Sequence, residues 1–95
     1  MRIYVAGPMT GIEELNFPAF HAAAARLRAE GHHVENPAEI NPDPAAKWED
    51  CMRADIVKLL ECEAIALLPG WEKSRGATLE HHIATSLGMS VIHAN

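Results

Sequence analysis

The chain has no run of lysine or arginine, and its net charge is −5. That excludes a nucleic-acid backbone or an anionic membrane surface as its main partner, since both are gripped by clustered basic side chains. It does not exclude a small anionic ligand, because local backbone amides bind phosphate even on an acidic protein. Cysteine is scarce. Cys51 and Cys62 are the only two and form no C-x-x-C pair, so both are read as reduced core residues rather than a disulfide framework. No apolar run approaches the roughly 18–20 residues that span a bilayer. No signal-peptide pattern precedes the first strand, and a cytoplasmic location is expected. Six histidines invite a metal reading. His32-His33 and His81-His82 are adjacent pairs, however, which face one way on neither a helix nor a strand, and no set has ligand spacing. Neither a metal nor a cofactor is expected.

What is present is an ordinary globular composition, nearly half apolar and about a fifth charged. Ninety-five residues make one domain. A chain this short buries a modest core and is often helped by association. Residues 2–6 form a short apolar strand closed by Gly7-Pro8. After a loop, Asn16 is placed to cap a helix with Pro18 in its first turn, and Gly31 ends that helix. Residues 33–36 are a second strand, stopped by Pro37. The three prolines within residues 37–44 predict a loop. A helix over 45–60, an apolar strand over 64–68, a helix over 76–87 and a strand over 89–92 complete the chain.

This β-α-β-α-β-α-β order predicts a three-layer α/β domain of the Rossmann or flavodoxin-like kind, with a parallel sheet of four, at most five, strands. Residues 64–68 lack period-two alternation, as expected of a strand covered on both faces. In such sheets ligands bind beyond the carboxyl ends of the strands. The loops there are residues 7–16, 37–44 and 69–78, the most Gly/Pro-rich stretches of the chain.

Two acids stand out. At 100° per residue, Trp48, Cys51, Met52, Ile56 and Leu59 share one side of their helix, and Asp55 projects into the middle of that stripe. A carboxylate on a core face is costly unless paired, hydrogen-bonded or neutral. It is either a buried structural Asp or a functional acid reaching a pocket. Glu80 falls on the edge of the apolar face set by Leu79, Ile83 and Leu87. Read as a first-turn residue, it is expected to stay ionised through the helix dipole and so to be able to act as a nucleophile; first-turn glutamates are also common as plain dipole partners. Ser74, Gly76 and Thr78 put small side chains and free N–H groups at the helix start, where phosphate or sugar hydroxyls bind. Tyr4 could hydrogen-bond a carboxylate or be core. Gly7 lets the chain pass close to a ligand, and Pro8 and Met9 continue the same loop. Trp71 either stacks on a base or lines a subunit contact.

Together these residues resemble the nucleoside 2-deoxyribosyltransferase superfamily, in particular its short, functionally uncharacterised branch common in phages and bacteria. The likeness covers nearly the whole chain. It rests on Ile3-Tyr4-Val5-Ala6-Gly7-Pro8-Met9-Thr10-Gly11, on Arg53-Ala54-Asp55-Ile56, and on Leu68-Pro69-Gly70-Trp71-Glu72-Lys73-Ser74-Arg75-Gly76-Ala77-Thr78-Leu79-Glu80-His81. The resemblance implies that Glu80 is a nucleophile attacking the anomeric carbon to form a glycosyl-enzyme. It implies that Asp55 helps protonate the departing base and that Tyr4 holds the nucleophile. Gly7, Ser74 and Gly76 would line the sugar or 5′-phosphate pocket, and the protein would be a homodimer or larger. The chain differs from better-known members in having His82 where they have glycine, and Pro8 where related nucleotide hydrolases place a phosphate-binding serine.

Two classes of function follow. The leading one is cleavage or transfer of the N-glycosidic bond of a (deoxy)nucleoside or its 5′-monophosphate, with a nucleotide phosphoribohydrolase as a close rival. The other is a protein that captures a nucleotide or nucleotide-derived signal without cleaving it, or an oligomeric structural protein with a vestigial pocket.

Overall fold

The computed structural model describes residues 1–94. Strands β1 (Arg2–Ala6), β2 (His33–Glu35), β3 (Ala64–Leu67) and β4 (Ser90–His93) alternate with helices α1 (Phe17–Ala29), α3 (Trp48–Leu59) and α4 (Arg75–Ser86). A single helical turn, α2 (Pro37–Ile40), follows β2. All pairings are parallel, and the strand order is β2-β1-β3-β4. This is the three-layer Rossmann/flavodoxin-like arrangement, with four strands among the described residues.

The strand period of two sorts the core. Ile3 and Val5 of β1, with Ala64 and Ala66 of β3, turn to one face and meet Phe20, Ala23, Ala24 and Leu27 of α1. Tyr4, Ala6, Ile65 and Leu67 turn to the other and meet Leu59 of α3 and Ala77 and Ala84 of α4. Every residue of β3 is buried, which is why its sequence carries no alternation. β4 is an exposed, four-residue edge.

The chain leaves β1 for β2 on one side and then crosses to β3 on the other. The strand order therefore reverses between β1 and β3, and a crevice opens at their carboxyl ends. Two backbone segments meet there. A Cβ added at Gly7 would lie 2.7 Å from Leu68 Cβ, so only glycine lets the end of β1 pass this close to the end of β3.

Three local expectations are corrected. Asn16 stands at the N-cap position of α1, but its side chain makes no capping bond. It lies in the left-handed region at φ 61, and its Nδ2 donates to the Pro8 carbonyl at 3.0 Å, tying the loop to itself instead. The stretch 37–44 is not wholly loop. Asn36 Oδ1 accepts from Ala38 N at 3.0 Å and Pro37 takes the first helical position, so a proline read as a breaker is a helix starter here. Helix α3 begins at Trp48 rather than at 45, because Asp43 Oδ1 accepts from Ala45 N and holds a turn before it.

Candidate active site

Tyr4 lies in mid-β1 with its side chain on the α3/α4 face, and its hydroxyl donates to Glu80 Oε2 across that face. Asp55, from α3, acts on the same hydroxyl through its charge. The two acids thus come from different helices onto one phenol. Tyr4 is fully buried and its ionisation is pushed well up, first by burial and then by the charges of Glu80 and Asp55. It therefore remains a donor.

Glu80 is 4 % exposed and Asp55 6 %. Burial raises both. Glu80 is pushed up to about 8, with the Tyr4 hydrogen bond acting against the shift and Asp55 adding to it. Asp55 is pushed up to about 7 by burial, against the hydrogen bond from Asn41 and the nearby Tyr4 hydroxyl. The expectation of an ionised Glu80 is corrected on both counts it rested on. Glu80 is the sixth residue of α4, not a first-turn residue, and the dipole's effect fades beyond the first turn. Desolvation then dominates. Near neutral pH the pair holds a proton, which belongs to the two acids jointly.

Both acids line one cleft of about 880 Å³ at the carboxyl ends of β1 and β3. Gly7, Pro8, Met9, Ser74 and Gly76 line it as well, together with Pro37 and Pro44, so all three loops assigned to the site from sequence do meet there. Ser74 caps α4, its Oγ accepting from Ala77 N at 3.1 Å, and the Thr78 N–H is taken by the Ser74 carbonyl. Helix geometry leaves the N–H groups of Arg75 and Gly76 without intrahelical acceptors.

Two predicted ligand contacts are placed elsewhere. Trp71 is not in the cleft lining. It packs against the second core cluster and lies against His81, the two rings tilted at 41° with centroids 4.4 Å apart. Thr78 turns its hydroxyl back onto the carbonyls of Ser74 and Arg75, at 2.8 and 3.0 Å, so its oxygen is spent within its own helix. Cys51, expected in the core, is half-buried and lines the cleft beside Asp55. Both cysteines are free thiols.

Three contributors went unread. Trp48 supplies the aromatic wall that Trp71 does not, and Arg75 lies over its ring at 3.9 Å. The sequence puts Trp48 on the apolar stripe of α3, and its place in the first turn of that helix, next to the loop before it, is the signal that it borders the cleft. Lys73 also lines the cleft. Asn41, at the exit of α2, donates Nδ2 to Asp55 Oδ1 at 2.8 Å. Among the described residues no three His, Cys, Asp or Glu side chains are grouped to hold a metal ion.

The model of one protein family, a domain of unknown function (DUF4406), matches residues 1–93. The chain belongs to the DUF4406 family. A search of curated proteins finds no match. The family match covers β1 through β4, so the two acids of the cleft, Asp55 and Glu80, and the Tyr4 that bonds Glu80 all fall within the DUF4406 domain.

Proposed function

We propose that this DUF4406 domain cleaves or transfers the N-glycosidic bond of a (deoxy)nucleoside or nucleoside 5′-monophosphate. The observation that carries the reading is that two buried acids, Glu80 and Asp55, line one nucleotide-sized cleft, with the Tyr4 hydroxyl bonded to Glu80. The overall likeness of the sequence to nucleoside 2-deoxyribosyltransferases supports it.

Glu80, as carboxylate, forms a bond from its oxygen to the anomeric carbon. The C–N bond breaks, its electron pair stays on the base nitrogen, and Asp55 delivers its proton to the base. Water or a second base then attacks the anomeric carbon and gives its proton to Asp55, and Glu80 leaves as carboxylate. Tyr4 holds Glu80 in place and opposes its protonation. Gly7 and the start of α4 take the sugar and any 5′-phosphate, with Lys73 and Arg75 as its cations, and the Trp48 ring borders the base. Exposed apolar side chains on α3 and at the C-terminal caps of α3 and α4, namely Val57, Leu60 and Leu87, support self-association.

A second reading has one observation in its favour. A nucleophile 4 % exposed and holding a proton near neutrality is poorly presented, which favours a protein that binds a nucleotide without cleaving it. One experiment separates the two. The protein is incubated with a panel of nucleosides and 5′-monophosphates, and free base is measured. Release that disappears in Glu80→Gln and Glu80→Ala supports the glycosidase. Ligand-induced thermal stabilisation with no base released across pH 6–9 sinks it in favour of the binder.

A further inference from the structure

Asn41 is the residue whose chemistry the site needs and the sequence did not point to. Its backbone is fixed at the end of α2, where its N–H donates to the Pro37 carbonyl at 3.0 Å. That turn is itself pinned by the buried cap Asn36. From this exit the Asn41 amide reaches Asp55 Oδ1 at 2.8 Å and the Cys51 carbonyl at 3.5 Å. Asn41 and Asp55 both border a small recess of about 60 Å³ beside the main cleft, and Asp55 borders the cleft as well.

We infer that Asn41 is a positioning residue, whose amide N–H occupies Asp55 Oδ1 and confines the acidic proton of Asp55 to Oδ2, the oxygen left to protonate the departing base. An oxygen that accepts an N–H bond along its lone pair is the poorer site for a proton, so the two carboxyl oxygens become inequivalent. The same bond favours the ionised form, and burial opposes it. The inference rests on reading Asp55 as the acid of the proposed reaction. Other titratable or charged groups near Asp55 are Tyr4 from β1, Glu80 from α4, and Cys51 and Asp43 beside it; Lys73 and Arg75 line the same cleft.

The test needs no substrate. The Asp55 carboxyl is titrated by carbon NMR in the full chain, assigned by its loss in Asp55→Asn. Asn41→Ala removes the donor. Asn41→Asp removes it at constant shape, which covers the case in which the alanine variant fails to fold. The expected result is an Asp55 midpoint raised by about one pH unit or more in Asn41→Ala. A second carboxylate at 41 raises the upper step of the pair further. If base release is found, its pH profile moves to higher pH as well, because its limbs belong to the pair that Asp55 forms with Glu80. An unchanged midpoint overturns the inference. So does a lowered one, which would mean that the Asn41 amide is turned over and accepts a proton from a neutral Asp55. A raised midpoint in a protein that releases no base upholds the action of Asn41 on Asp55 and removes the glycosidase reading alone.

Discussion

The Tyr4 hydroxyl donates to Glu80 Oε2, joining the first strand to the last helix across 76 positions of sequence. Both groups are buried, so neither has water as an alternative partner. A buried acceptor that loses its donor costs about 1–3 kcal/mol. Tyr4→Phe is therefore expected to lower the melting temperature by roughly 5–15 °C. It should also raise the Glu80 midpoint above about 8, because the hydroxyl is the group that lowers it. Carbon NMR of the Glu80 carboxyl checks the second effect separately from stability, and an unmoved midpoint would show that the phenol does not govern the acid.

The buried acids set an unusual dependence of stability on pH. Glu80 is raised from 4.5 to about 8 and Asp55 from 3.8 to about 7. The folded protein thus binds more protons than the unfolded chain across that window. Stability from these two groups is complete below about pH 4 and is lost as pH rises toward 8. The exposed Arg28–Glu39 pair, whose carboxyl is held low, acts in the opposite direction but is screened and small. Glu80→Gln keeps the shape and removes the charge. At pH 9 it should be more stable than the parent chain by about 2–5 kcal/mol, and at pH 5 nearly equal to it. Thermal melts at both values decide this; equal melting temperatures at pH 9 would mean that Glu80 is solvated and ionised without cost.

The parts of this fold that follow local rules were legible in the sequence. Ile3, Val5, Ala64 and Ala66 announce strands by their apolar runs, and Asp55 announces itself as an acid on a hydrophobic stripe. Less visible were features set by where loops land. Trp71 and Trp48 are both tryptophans next to predicted loops, and only the packing of Trp71 on His81 distinguishes the core residue from the cleft wall. Thr78 is indistinguishable from a ligand-binding threonine until its hydroxyl is seen on the Ser74 carbonyl. The expected charge on Glu80 fails because residue 80 lies beyond the first turn of α4 and because burial, a tertiary property, outweighs the helix dipole.

Two of the glycines that line the cleft, Gly7 and Gly76, should respond differently to the same substitution. At Gly7 a new Cβ would sit 2.7 Å from Leu68 Cβ, which belongs to a chain segment hydrogen-bonded to Ala6 and cannot yield. Gly7→Ala is expected to cost about 1–3 kcal/mol. At Gly76 the nearest atom is Met52 Sδ at 3.1 Å, toward the end of a flexible side chain. The helix preference for alanine over glycine, about 0.5–1 kcal/mol, offsets the crowding, so Gly76→Ala should be within about 1 kcal/mol of neutral. Chemical denaturation of the two variants tests the ordering. Gly76→Ala proving the more damaging would mean that α3 and α4 pack more tightly than these contacts indicate.

If the cleft performs glycosidic cleavage, its rate must carry the signature of two acids needed in opposite states. Glu80 attacks only as carboxylate, so activity rises with pH until Glu80 ionises. Asp55 donates only as acid, so activity falls once Asp55 has lost its proton. With the groups at about 8 and about 7, the state with the proton on Asp55 is the minority form of the singly protonated pair, roughly one part in ten. The profile of kcat/KM is then a narrow bell centred between pH 7 and 8, and its two limbs belong to the pair rather than to either residue. Asp55→Asn should abolish the alkaline limb while slowing release of ordinary bases by about 10²–10⁴. A substrate whose leaving group needs no protonation should recover most of that loss. Steady-state rates across pH 5–10 with both kinds of substrate test this, and a profile flat through pH 6–9 would exclude Glu80 and Asp55 as the working acids.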